Sequence, residues 1–289
     1  MTERNYRFAG LEFQLSMESD LMFQREHKLA PFAVTKVNDP HCFRYYKTEK
    51  LDEPSGICRK QDASRQIYQD SDRRIQYLGL LDETWENAYF RVEHCGKNHK
   101  VQLRAGNYPD RVDTRTVLES IELQHLILQV QGILLHCSYI DHWGKAILFT
   151  APSQTGKSTQ AELWKKYRGA DILNGDRAAV RIEEEKVIVE GIPFSGSSPY
   201  CENRSLPLAA IVYLQQAPVT TIRKLRGYEA FARTWEGISI DNWDREDLEA
   251  ASNVVKKIVE NVPVYHMPCT PDENAVIALE QELRKLVSV

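Results

Sequence analysis

Ala151-Pro-Ser-Gln-Thr-Gly-Lys-Ser158 is the segment that most narrows what this chain can become. It matches the phosphate-loop pattern G-x-x-x-x-G-K-[ST], the Walker A motif, at every position but the first, where alanine stands for glycine. Apolar Ala146-Ile-Leu-Phe-Thr150 precedes it and reads as a short buried strand. Lys157-Ser-Thr-Gln-Ala-Glu-Leu-Trp-Lys-Lys-Tyr167 follows as a helix, stopped by Gly169. A strand, a loop and a helix in that order aim backbone N–H groups and the positive end of the helix dipole at an anion. Gly156 permits close backbone approach. The expected ligand is ATP or another nucleoside triphosphate with Mg²⁺. It is assigned to Ser153, Gln154, Thr155, Gly156, Lys157, Ser158 and Thr159, with Lys157 reaching the β- and γ-phosphates and Ser158 placing its hydroxyl on the metal.

A second chemical group follows at fixed spacing. Ile172-Leu-Asn-Gly-Asp176 reads as a strand ending in an acid, nineteen residues after Lys157. The C-terminal ends of strands are where α/β sheets bind ligands. A carboxylate there is suited to holding Mg²⁺ or to accepting a proton from a hydroxyl nucleophile, so Asp176 is expected to be both metal-binding and catalytic.

Around these motifs the chain has two textures, dividing near residue 113. Residues 1–113 carry short alternating runs, such as Leu11–Met17, Phe43–Tyr46, Arg65–Tyr68, Ile75–Leu78 and Ala88–His94, separated by turn-rich stretches. This predicts a β-rich, antiparallel N-terminal domain. In it His27, His41, His94 and His99 are isolated in the sequence and read as surface or packing residues. Residues 114–289 alternate strand and helix, a mixed α/β nucleotide-binding texture. One helix is expected over Asp113–Gln131 with a capping box at Thr116–Glu119, and another opening at Thr270-Pro-Asp-Glu273.

Composition excludes several classes. Lys and Arg number 37 against 41 Asp and Glu, a net charge of −4, so no global basic excess points to nucleic acid or an anionic membrane. No run approaches the ~18 apolar residues of a membrane span, and the N-terminus lacks the apolar stretch of a signal peptide. The six cysteines form no C-x-x-C pair, which argues against zinc and for free thiols in a reducing cytoplasm.

The residues from about Leu126 to Leu214 resemble the catalytic domain of the HPr kinase/phosphorylase family, bacterial serine kinases related to phosphoenolpyruvate carboxykinase. Leu134-Leu-His136, fifteen residues before the loop, resembles the family's histidine on the preceding strand. Gln154-Thr-Gly-Lys-Ser158 matches its nucleotide-binding segment. Leu173-Asn-Gly-Asp-Arg177 looks like its L-x-A-D-D-x segment, with Gly175 in the place of one aspartate. Gly191–Ser198 and Pro207–Leu214 look like divergent, HPr-kinase-related proteins, some of which accompany peptide-modification genes. The family's arginine-glycine element for phosphorolysis is not recognisable near Val189–Gly191.

The resemblance implies an HPr kinase/phosphoenolpyruvate carboxykinase-like P-loop domain and an oligomer. It also implies catalytic roles for Asp176, His136 and Lys157. Glu190, Arg204 and Arg177 are further candidates, the first as a supporting carboxylate and Arg204 as a group that neutralises transferred charge. Gly196 with its flanking serines can form a polar loop near phosphate. The expected function is an ATP- and Mg²⁺-dependent kinase that phosphorylates a Ser or Thr hydroxyl of a protein or peptide. The alternatives are a small-molecule kinase and a nucleotide-dependent binding or regulatory module.

Overall fold

Period-two alternation decides the first unit. In Leu11–Met17 the odd positions Leu11, Phe13, Leu15 and Met17 are buried and the even ones only partly so, as a half-covered strand requires. In the computed structural model, which describes residues 2–19, 21–23, 28–79, 84–106 and 111–287, the chain divides into two compact units. One comprises residues 1–7 and 11–122, the other residues 8–10 and 123–289. The division falls one short helix beyond the expected boundary at 113/114. That helix, Thr114–Ile121, belongs to the first unit, where Tyr45 Oη and Ser120 Oγ share a buried hydrogen bond of 2.7 Å.

The first unit is built on a nine-stranded sheet. Its strands are not all antiparallel as expected: His41–Thr48 runs parallel to both Leu11–Met17 and Asn98–Arg104. Alternation specifies which face of a strand is buried, not which neighbour it takes. The helix expected over Asp113–Gln131 is broken at Glu122, whose φ is +49°. It is capped by Asp113, whose carboxylate accepts from Thr116 N at 2.8 Å, and not by Thr116. His41, His94 and His99 are not isolated. His94 Nδ1 lies 2.9 Å from His99 Nδ1, and His99 Nε2 lies 3.1 Å from His41 Nδ1. His27 lies outside the described residues.

The second unit is mixed α/β. Its axis is the strand Gly132–His142, which pairs antiparallel with Lys145–Thr150, with Asp171–Asn174 and with Arg177–Glu183. Lys145–Thr150 pairs parallel with Ser205–Gln216, which pairs parallel with Val264–Cys269. Helices cover both faces. Lys157–Arg168 and Glu273–Val287 bury Trp164, Val276 and Leu279 with Ile147, Phe149 and Val212. Gly227–Trp235 and Arg245–Asn261 bury Ala230, Val255 and Ile258 with Leu135, Leu148 and Ile211. Each buried leucine, isoleucine or phenylalanine stabilises the fold by about 1.5–3 kcal/mol, so the strands that carry the site are anchored by core on either side. None of the described helices is long and apolar enough to cross a membrane, and all six cysteines are free thiols.

Candidate functional site

The loop Ala151–Gly156 joins the buried strand Lys145–Thr150 to the helix Lys157–Arg168. Its turn is made by two left-handed residues, Gln154 at φ +65° and Gly156 at φ +113°. Gly156 is the helix N-cap and supplies no side-chain acceptor. The first N–H groups of the helix therefore keep their capacity for an external acceptor. A β-carbon on Gly156 would meet nothing within 4 Å, so its glycine serves the backbone angle and not a close packing contact. Gln216 Nε2 donates to Gln154 O at 3.3 Å, which ties the loop to the neighbouring parallel strand. Lys157 Nζ turns back onto the loop, donating to Ala151 O at 3.1 Å and Pro152 O at 3.3 Å. Burial holds this ammonium below its ordinary pKa, against the opposing pull of Cys137 and Asp176.

Asp176 stands beyond the strand end expected of it. The strand closes at Asn174, and Gly175–Asp176 form the turn into Arg177–Glu183. The turn is set by Asn174, whose side chain is fully buried. Its Oδ1 accepts from Asp176 N at 2.9 Å and Arg177 N at 3.1 Å, and its Nδ2 donates to Ile192 O at 2.9 Å and Phe194 O at 3.2 Å. One amide thus fixes the carboxylate-bearing turn and joins it to the segment leading into Ser195–Ser198.

His136, on the central strand, is held through its backbone: its N–H donates to Gly237 O at 2.7 Å and its carbonyl accepts from Thr150 Oγ1 at 3.1 Å. Its Nε2 lies 3.7 Å from Asp176 Oδ1, just outside hydrogen-bond reach. Burial and the nearby Lys157 charge push its pKa below the usual histidine value, with Asp176 opposing and Arg177 adding to the shift. The imidazole is therefore less readily protonated than a free histidine. Arg177 Nε lies 3.4 Å from Asp176 Oδ2.

These elements enclose one cavity of about 480 Å³, with His136, Ser153, Gln154, Lys157, Ser158 and Asp176 in its wall. Of the expected site residues, Thr155, Gly156, Thr159, Arg177, Glu190 and Arg204 are not in that wall. Glu190 accepts a two-point bond from Arg181, at 2.8 and 3.1 Å. Arg204 is shared between Asp171, at 2.9 Å, and Asp141. Both are engaged in ion pairs, Glu190 across paired strands and Arg204 from the segment before Ser205–Gln216. Conversely, Ser138, Glu162 and Tyr200 line the cavity without having been singled out for it, while Gly175 and the serine-loop residues Ser195, Ser197 and Ser198, noted in the sequence, line it as well. Tyr200 Oη donates to Glu162 Oε1 at 2.9 Å, closing one side. Asn174 and Tyr200 carried no sequence signal beyond proximity to the motifs.

No family model matches the chain, and no curated protein matches it. Among solved structures the chain has a distant likeness to the Hpr(Ser) kinase/phosphatase from Coxiella burnetii, at 9% identity and a TM-score of 0.34, covering 53% of this chain and 97% of that chain.

Proposed function

We propose that this cavity binds a nucleoside triphosphate with Mg²⁺ and transfers its γ-phosphoryl group to a Ser or Thr hydroxyl of a protein or peptide. The observation that carries this reading is the convergence of Lys157, Ser158, His136 and Asp176 on one cavity at the start of an uncapped helix. Mg²⁺ takes oxygen donors, and the Ser158 hydroxyl and the Asp176 carboxylate both line the cavity, so these two residues fit it and would hold it. Bound there, the metal would neutralise charge on the phosphate oxygens. Lys157 would exchange its two loop carbonyls for phosphate oxygens. The helix-start N–H groups would hold the phosphate chain in line. Asp176 would accept the proton of the attacking hydroxyl, and His136, 3.7 Å away, would need only a small shift to hydrogen-bond that carboxylate.

The acceptor's chemistry separates this from phosphorylation of a small molecule. A nucleotide-dependent binding module with little turnover has one observation in its favour. The only other acid in the cavity wall among the described residues, Glu162, is held by Tyr200. The test is calorimetry of Mg·ATP binding to the wild-type chain and to Lys157→Ala, followed by mass spectrometry of serine-containing peptides incubated with ATP. Saturable binding lost in the variant, with phosphate on a peptide, is the expected result. Binding without transfer to any acceptor supports the module, and absence of binding removes the proposal.

A further inference from the structure

Three serines, Ser195, Ser197 and Ser198, enter the same cavity wall as Lys157 and Asp176, and the structure gives them unequal work. Ser195 is buried and its hydroxyl donates to Ser198 O at 3.3 Å. Ser198 Oγ accepts from Tyr200 N at 3.2 Å. Ser197 is exposed, and its hydroxyl has no hydrogen bond among the described residues. The loop that presents it is not a free tether. Ser198 N donates to Ser195 O at 2.8 Å across a turn in which Gly196 adopts φ +52°, and the root of the loop is held through Phe194 O by Asn174. The turn lies directly against the carboxylate. A β-carbon on Gly196 would stand 3.0 Å from Asp176 Cγ and 3.1 Å from its Oδ1. Glycine is what lets the backbone approach the acid so closely, and the next residue is the unbonded hydroxyl.

We infer that Ser197 is itself a phosphoryl acceptor, so that the chain modifies its own serine loop within one molecule. The inference rests on the kinase reading above. In the step, Ser197 Oγ forms the new bond to the γ-phosphorus of a nucleoside triphosphate. The bond from that phosphorus to the β,γ-bridging oxygen breaks, and the nucleoside diphosphate leaves with the electron pair. The hydroxyl proton passes to Asp176. A nucleophile held on a fixed turn beside its base has an effective concentration far above that of a free peptide, so self-modification precedes transfer to any acceptor in solution.

The experiment incubates the purified full chain with ATP and Mg²⁺ alone and maps phosphate by peptide mass spectrometry. Nucleotide binding is measured separately by calorimetry. The expected result is one phosphoryl group per chain, on Ser197, at a first-order rate unchanged over about a tenfold range of protein concentration. It is lost in Ser197→Ala and Lys157→Ala and retained in Ser197→Thr. If nucleotide binds and an added serine peptide is phosphorylated while Ser197 stays bare, the inference falls and the kinase reading stands. Phosphate on Ser195, Ser198 or elsewhere overturns it equally. If no nucleotide binds, the kinase reading falls and this inference with it.

Discussion

A β-carbon on Gly175 would stand 2.3 Å from Ser198 Oγ and 2.7 Å from Ser198 Cβ. The two residues divide one corner of the cavity, and the hydroxyl of Ser198 fills the space a side chain at 175 would need. In the family the sequence resembles, that position holds an aspartate. Gly175→Ala is therefore expected to destabilise the wild-type chain by about 1–3 kcal/mol, the usual range for overpacking. In a Ser198→Gly background the same substitution should cost much less. Chemical denaturation of the four chains of this cycle measures the coupling. Additive effects would mean that Ser198 moves aside freely.

Asn174 makes four hydrogen bonds from a fully buried amide. Asn174→Ala leaves two N–H groups and two carbonyls to find other partners, which should lower stability by about 2–4 kcal/mol. Asn174→Asp keeps the acceptor toward Asp176 N and Arg177 N but turns a carboxylate toward the carbonyls of Ile192 and Phe194. It should be at least as damaging, since it buries an unpaired charge. If Asn174→Asp were as stable as wild type at pH 7, the donor bonds to the serine-loop segment would carry no weight.

The strand, loop and helix around Ala151–Ser158 were legible as a local shape, because an apolar run, a glycine for the left-handed cap and a helix-forming run follow one another in the sequence. Asp176 was legible as a residue but not as a place, since apolar spacing could not reveal that the strand ends at Asn174 and a turn follows. Glu190 and Arg204 entered the expected site through the family resemblance, as a supporting carboxylate and as a group to neutralise transferred charge. Their charges are satisfied by Arg181 and by Asp141 and Asp171 on paired strands, partners that depend on register. The same holds in the first unit. His41, His94 and His99 converge because parallel and antiparallel pairings bring three strands side by side, and no spacing in the sequence encodes that.

That histidine cluster is expected to make the first unit acid-sensitive. His99 is buried, stacks on Phe43 at 4.0 Å between ring centres, and touches both His94 and His41. His94 in turn lies 3.3 Å from Glu122, which also pairs with Arg74. Burial first, then the charges of His94 and His41, push the His99 pKa down to about 2. An unfolded histidine titrates near 6.5. Between those values the unfolded chain binds a proton the folded chain refuses, so the stability this neutral histidine contributes is present above about pH 6.5 and is lost as pH falls. The expected loss is about 1.4 kcal/mol per pH unit below about 6.5. Denaturant melts at pH 7.5 and 5.5 measure it, and His99→Gln, which cannot titrate, should flatten the difference. An unchanged pH slope in that variant would assign the acid sensitivity to other groups.

Asp176 and Lys157 should separate binding from transfer. On the proposed reading Lys157 meets phosphate oxygens, so Lys157→Ala should abolish measurable Mg·ATP binding while leaving the fold intact, because its present partners are two carbonyls of its own loop. On the same reading Asp176 takes the acceptor's proton. Asp176→Asn keeps the shape and the Asn174-held backbone but removes the basic oxygen, so nucleotide affinity should fall little while transfer drops about 10²–10⁴-fold, the range for a lost general base. Arg204→Ala supplies the contrast. Its guanidinium joins Asp141 and Asp171 and does not line the cavity, so it should cost about 0.5–1 kcal/mol of stability and leave transfer per folded molecule near wild type. Calorimetry, single-turnover transfer and denaturation on the three variants decide the matter. An Asp176→Asn chain that transfers at the wild-type rate would remove the carboxylate from the proton path, and a slow, stable Arg204→Ala chain would bring that arginine back to the site.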